Sequence, residues 1–144
     1  PARLVLRAPA VQMAKTFRTR ILRDGFAEYE TKRSVSCGFE RKMRVPYSFY
    51  RELQANNAAS VIPAVPTLLL RAGADELIEP DDLSAFAKNS PLIQLVDIAG
   101  AGHRFKEPGA LDRVIDAAAE WLLQAASDCA GSEKAALFPL GIQR

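Results

Sequence analysis

The stretch that decides the fold is Val65–Phe105, VPTLLLRAGADELIEPDDLSAFAKNSPLIQLVDIAGAGHRF. It reads as a strand, a turn carrying an acid, a helix, a second strand and a turn carrying a histidine. Thr67–Leu70 is a short apolar run bounded by turn signals, as expected of a strand buried on both faces. The small residues of Arg71–Asp75 let the backbone turn and leave Asp75 at the strand's C-terminal edge. A helix is predicted from Pro80, because proline suits a first helical turn and Asp81 and Asp82 favour its positive end. Leu83, Phe86 and Ala87 share one face of it, the face expected to pack on the sheet. The second strand, Leu92–Ile98, runs into Ala99-Gly100-Ala101-Gly102-His103. Two strands joined by a helical crossover are parallel, and ligands of such sheets bind outside the strands' carboxyl ends. Asp75 and His103 are therefore expected at one edge, the side where chemistry is done.

His103 is the only histidine of the chain. An unperturbed imidazole titrates near neutrality, at about 6.5, so it can take up a proton and return it. Glu76 and Glu79 compete with Asp75 for the acid role, but Asp75 stands at the turn just past the strand and Glu76 is expected to face solvent. Asp97 is read as marking a sheet edge or a strand end. No candidate carboxylates cluster as a metal site requires.

Acid before histidine is the chain order of the α/β-hydrolase triad, which runs Ser, then Asp or Glu, then His. Leu68–Pro80 resembles the strand-and-acid segment of that fold, and Gly100–Phe105 resembles its histidine loop. The resemblance spans roughly Leu4 to Leu123 and is strongest from Val65 onward. It is closest to compact serine esterases and serine-aminopeptidase-like hydrolases, whose histidine loop often reads G-x-x-H-x-F. It implies that Asp75 is the triad acid and His103 the triad base, that a serine attacks a carboxylic ester or, less readily, an amide, and that no cofactor or metal takes part. One element is missing: no G-x-S-x-G nucleophile elbow occurs in the sequence.

The beginning of the sequence bears on that gap. Arg3–Ala8 reads as a strand that starts at once, and Ala8-Pro9-Ala10 as its exit. In the hydrolase reading this is the strand after the nucleophile helix, so the chain is expected to be the C-terminal half of the fold. The nucleophile, the oxyanion hole and the first strands would lie upstream. Ser34 and Ser36 follow no buried strand, and nothing in the sequence brings Cys37 to His103. The expected organisation is a sheet strand over residues 1–10, an insertion with a return helix over 11–60, a C-terminal βαβα over 61–124 and a partly ordered tail over 125–144.

The insertion is basic. Between Val11 and Val45 stand Lys15, Arg18, Arg20, Arg23, Lys32, Arg33, Arg41, Lys42 and Arg44 against Asp24, Glu28, Glu30 and Glu40. Met13, Phe17 and Ile21 suggest an amphipathic helix stopping near Asp24-Gly25. Phe26–Arg44 is read as a looser segment with aromatics among charges. Such an insertion between two strands fits a small lid over the catalytic edge. It also fits a solvated surface with anchoring aromatics, or an anion- or nucleic-acid-binding patch using Phe17, Phe26, Tyr29 and Phe39. A second helix is expected from Pro46-Tyr47-Ser48, capped by Ser48, with Phe49, Leu53 and Tyr50 on its apolar side and Asn56-Asn57 ending it. The last helix starts at Pro108, with Leu111, Val114, Ile115, Ala118 and Leu122 as its buried stripe and Trp121 at the border. Phe138 and Leu140 in the tail are candidates for docking on a partner.

Composition excludes some classes. With 144 residues, 49% hydrophobic, 25% charged and a net charge of +2, the chain is an ordinary globular domain. That charge alone does not suggest nucleic-acid or membrane-surface binding. No apolar run approaches the roughly 20 residues of a membrane helix, and PARLVLRAPAV lacks a secretory pattern. Cys37 and Cys129 have no metal-type spacing and no evident pairing, which favours a cytoplasmic setting. The expected ligand is a small ester or acyl substrate, with no nucleic acid. The exposed edge of a three-strand sheet would be covered by an upstream hydrolase half or a second copy. The rival reading is a non-catalytic α/β module that binds a protein or anionic partner through residues 15–44.

Overall fold

The structure, a computed structural model, describes residues 2–38 and 40–135, and the backbone alone from residue 125 onward. In chain order the elements are β1 (Leu4–Arg7), α1 (Met13–Thr16), a π-helical turn (Phe17–Ile21), α2 (Phe26–Lys32), β2 (Ser34–Cys37), β3 (Met43–Pro46), α3 (Tyr47–Ala55), a 3₁₀ turn (Ala58–Ser60), β4 (Thr67–Ala72), α4 (Pro80–Lys88), β5 (Ile93–Ile98) and α5 (Ala110–Ala135).

β1, β4 and β5 form a parallel three-stranded sheet with β4 in the middle. Leu4 is in register with Thr67, and Thr67 with Ile93. The central strand is buried on both faces, as its unbroken apolar run requires. Leu68 and Leu70 point into one core with Ala8, Ile98, Phe105, Ala110 and Val114, beneath α5. Leu69 points into the other with Val11, Ile78, Leu83 and Phe86, beneath α4. Each fully buried leucine removes enough apolar surface from water to contribute about 1.5–3 kcal/mol. Pro80 occupies the first turn of α4, and Asp81 and Asp82 lie in the same turn.

The insertion between β1 and β4 has its own core, built on Phe17, Leu22, Tyr29 and Tyr50. The segment expected to be loose, Phe26–Arg44, is instead α2 followed by an antiparallel hairpin of β2 and β3, in which Val35 faces Val45. Phe26 and Tyr29, one helical turn apart, hold α2 down, Phe26 through an edge contact with Tyr50 and Tyr29 through a tilted one with Phe17. Arg33 then turns the chain in a left-handed conformation, φ 59°, with its guanidinium over the Tyr47 ring. Tyr29 is fully buried and its hydroxyl donates to the Pro46 carbonyl at 2.6 Å, linking α2 to the end of β3. Tyr29→Phe keeps the ring and loses that bond, so it should cost about 1 kcal/mol in a urea melt.

Four further expectations are corrected. Ser48 does not cap α3: Pro46 stands at the N-cap, with no side-chain cap bond. On α3 it is Tyr50 that is buried, while Phe49 is 40% exposed. The buried stripe of α5 is also rotated from the expected one. Ala110 and Val114 are buried and Ala117, Ala118 and Trp121 pack beside them, whereas Leu111, Ile115 and Leu122 face outward. Small alanines let the helix axis approach the sheet, and periodicity alone cannot choose between two adjacent apolar stripes. The backbone of α5 stays helical to Ala135 rather than ending near Gln124. Phe39, Phe138 and Leu140 lie outside the described residues.

Candidate active site

The turns that follow β4 and β5 are knitted together at the C-terminal edge of the sheet. Gly73 N–H donates to the Ile98 carbonyl at 3.0 Å and Ala74 N–H to the Ala101 carbonyl at 2.8 Å. Gly73 is needed for this approach, because a Cβ there would stand 3.1 Å from the Ala99 Cα and from the Ile98 carbonyl oxygen. Gly100 supplies the left-handed turn out of β5, φ 69°.

On this frame His103 Nδ1 stands 3.1 Å from Asp75 Oδ2. The Asp75 side chain is 1% exposed and that of His103 27%. The other carboxylate oxygen, Asp75 Oδ1, accepts from the backbone amides of Leu77 at 2.9 Å and Ile78 at 2.8 Å. The acid is thus locked by its own turn, with one oxygen left for the ring. A buried carboxylate bonded in this way favours the tautomer with the proton on Nδ1, which leaves Nε2 without one.

Glu79 and Asp97 are occupied elsewhere. Glu79, at the N-cap of α4, is paired with Arg20 from the π-helical turn. Asp97, on the edge strand β5, pairs with Arg71, whose Nη2 lies 2.7 Å from Asp97 Oδ2. That guanidinium holds the Asp97 carboxyl below the usual aspartate range. Glu76 is exposed, as expected, and its Oε2 also accepts the backbone N–H of His103 at 2.9 Å. Foremost among the causes, that bond holds the Glu76 carboxyl below the ordinary glutamate range. A depressed folded value means that the contribution is present above the unfolded value and is lost as pH falls through the folded one. Amide exchange measured on an acid series should therefore show His103 losing protection as Glu76 protonates.

The insertion overhangs this edge. The π-helical turn, closed by Leu22 N–H on the Phe17 carbonyl at 2.9 Å, turns Arg20 toward Glu79. Such wide turns are frequent at functional sites. Lys15 meets Asp82 at 2.6 Å, and the hairpin residue Glu40 lies 3.7 Å from Arg104 of the histidine loop. Between insertion and acid turn lie two open cavities. One of about 460 Å³ is lined by Thr19–Gly25 and Glu76. The other, of about 210 Å³, is lined by Arg20–Leu22, Ser36–Gly38, Lys42 and Leu77. Ser34 and Ser36 stand on β2 of the antiparallel hairpin, not on a turn from a parallel strand into a helix. Among the described residues no group of His, Cys, Asp and Glu could hold a metal ion.

No protein-family model matches the sequence, and no curated protein does so significantly. Solved structures do match. The chain superimposes on Est1E from Butyrivibrio proteoclasticus with a TM-score of 0.68 at 18% identity, over 87% of this chain and 51% of that one. It superimposes on mouse alpha/beta hydrolase domain-containing protein 10 with a TM-score of 0.66 at 21% identity, over 85% of this chain and 52% of that one. The fold is that of the α/β hydrolases. This chain spans about half the length of the structures it matches.

Proposed function

We propose that this chain carries the acid and the base of a serine hydrolase of carboxylic esters, with Asp75 and His103 as the catalytic residues. The observation that carries the reading is the 3.1 Å contact of His103 Nδ1 with a buried Asp75 carboxylate whose second oxygen is held by two backbone amides. In this reading His103 Nε2 takes the proton of a serine hydroxyl as it attacks the ester carbonyl, and returns it to the departing alkoxide. Asp75 holds the ring and stabilises the imidazolium. Water then repeats the sequence on the acyl-enzyme. No cofactor enters these steps.

The serine and the oxyanion donors belong, on this reading, to a segment preceding Pro1, which makes this chain the C-terminal half of the enzyme. The absence of a G-x-S-x-G elbow and the half-length matches support it. So does the outer edge of β1: Leu4 and Ala8 give their amides to β4, so by the period of two Val5 and Arg7 turn theirs away. The outward Leu111, Ile115 and Leu122 of α5 supply apolar surface for the same segment. The insertion, residues 11–60, acts as a lid that shapes the acyl pocket, supported by the two cavities between it and the acid turn. Est1E has also been solved with ferulic acid bound, and an aromatic acid ester is a reasonable first substrate to assay here. The free thiol of Cys37 suits a reducing, cytoplasmic setting. Among the described residues, no helix is long and apolar enough to cross a membrane.

The rival, partner binding through residues 15–44, is weakened because Lys15, Arg20 and Lys32 are already paired with acids of this chain. The test is hydrolysis of a graded series of aryl and alkyl esters by the native protein. Turnover that disappears in His103→Ala supports the proposal. Turnover unaffected by that change contradicts it.

A further inference from the structure

We propose that Glu76 is a positioning residue, which fixes the backbone of His103 while the neighbouring Asp75 fixes its ring. The catalytic consequence rests on the hydrolase reading above; the structural part does not.

Asp75 and Glu76 are consecutive, and both reach the same residue 27 or 28 positions away. Asp75 Oδ2 meets the ring at Nδ1, and Glu76 Oε2 accepts the backbone N–H. A ring contact alone leaves the Cα free to swing about the acid, since the two side-chain torsions can compensate. A second bond at the backbone nitrogen removes that freedom, because those torsions are then measured from a fixed frame. Catalytic groups must be held within about 0.5 Å and 10–20° of the productive geometry, which one contact on a loop does not secure.

The histidine loop is tied at Ala101 by the Ala74 amide and closed on itself by Phe105 N–H on the Gly102 carbonyl at 2.9 Å. Between these ties the Glu76 carboxylate holds the peptide of His103. The loop comes close enough to shape its own sequence. A Cβ on Gly102 would stand 3.2 Å from Glu76 Oε2 and 2.9 Å from Glu107 Oε1. Both atoms are the far ends of flexible side chains, so a larger residue at 102 would displace carboxylates, that of Glu76 among them, and not strain the backbone. Glu76 also brings negative charge beside a ring that becomes an imidazolium during turnover, so it contributes in the same direction as Asp75.

The experiment uses the native full-length protein labelled with ¹⁵N, in which the ring Nδ1–H of His103 is assigned as the downfield proton that disappears in His103→Ala. In Glu76→Ala the His103 amide should exchange about tenfold faster or more, the factor a charge-assisted hydrogen bond is worth. The ring proton should broaden in that variant, while the β4 amides keep their protection. Glu76→Gln keeps an acceptor without the charge and should fall between the two; it also stands in for the alanine variant if that one does not fold. Glu107→Ala should leave the His103 amide unchanged, and Asp75→Asn should lose the ring proton while keeping amide protection. In the native enzyme Glu76→Ala should lower kcat about 10–100-fold, the cost of a misplaced group, with KM nearly unchanged and most of the loss restored by glutamine. Unaltered His103 amide protection in both Glu76 variants overturns the proposal. A wild-type chain that lacks the ring proton, yet whose amide protection still depends on Glu76, upholds the backbone tie and removes the hydrolase reading instead.

Discussion

On the proposed hydrolase function, Asp75→Asn in the native protein is expected to lower kcat by about 10⁴-fold with little change in KM, as the same replacement does in serine proteases. The size of the effect follows from the local bonding. Asp75 Oδ1 is committed to the Leu77 and Ile78 amides, so the oxygen facing His103 carries all the control of the ring. An asparagine that keeps its amide oxygen on those two donors turns its NH₂ toward His103. Nδ1 must then accept, the proton moves to Nε2, and the ring can no longer act as a base there. Stability should change little, since the turn bonds survive. Steady-state kinetics of the two proteins checks this, and equal kcat values would remove Asp75 from the chemistry.

The second large effect is on stability. Phe105→Ala should cost about 3–5 kcal/mol, the usual range for emptying a buried aromatic site. Phe105 is 3% exposed within the core under α5, and the Arg7 guanidinium lies 5.5 Å from its ring centroid. It also holds a left-handed backbone, φ 54°, which a residue with a Cβ adopts only where its surroundings enforce it. Packing of the ring therefore offsets the strain of the loop that carries His103. Phe105→Gly removes both ring and strain, so it should be less destabilised than Phe105→Ala, by about 1 kcal/mol. Urea melts followed by the fluorescence of Trp121, which packs on the same core, compare the two. A glycine variant clearly weaker than the alanine variant would contradict the strain argument.

The sheet was legible because its central strand is an apolar run bounded by turn signals, and the acid and histidine because each lies in the turn that follows a strand. The hairpin of β2 and β3 was not. Ser34–Cys37 and Met43–Pro46 are four residues each, mix polar with apolar positions, and contain a proline. Their pairing is decided by Tyr29 and Tyr47 packing beneath them, which no local pattern reports. The outward turn of Leu111 and Ile115 went unread for a related reason: Ala110, Ala117 and Ala118 carry a weak hydrophobic signal yet permit the closest approach to the sheet. Glu76 was hidden because its partner is a backbone amide, positioned only after the two turns zip together. The one available hint was Gly102, a glycine directly before the histidine with an ordinary backbone to fill.

The most direct measurement of the central claim is the intact mass of the native protein after treatment with a fluorophosphonate, followed by mapping of the labelled residue. The account predicts one adduct, on a serine outside Pro1–Arg144, that disappears in His103→Ala. An adduct on Ser34 or Ser36, or one that persists without His103, would contradict it.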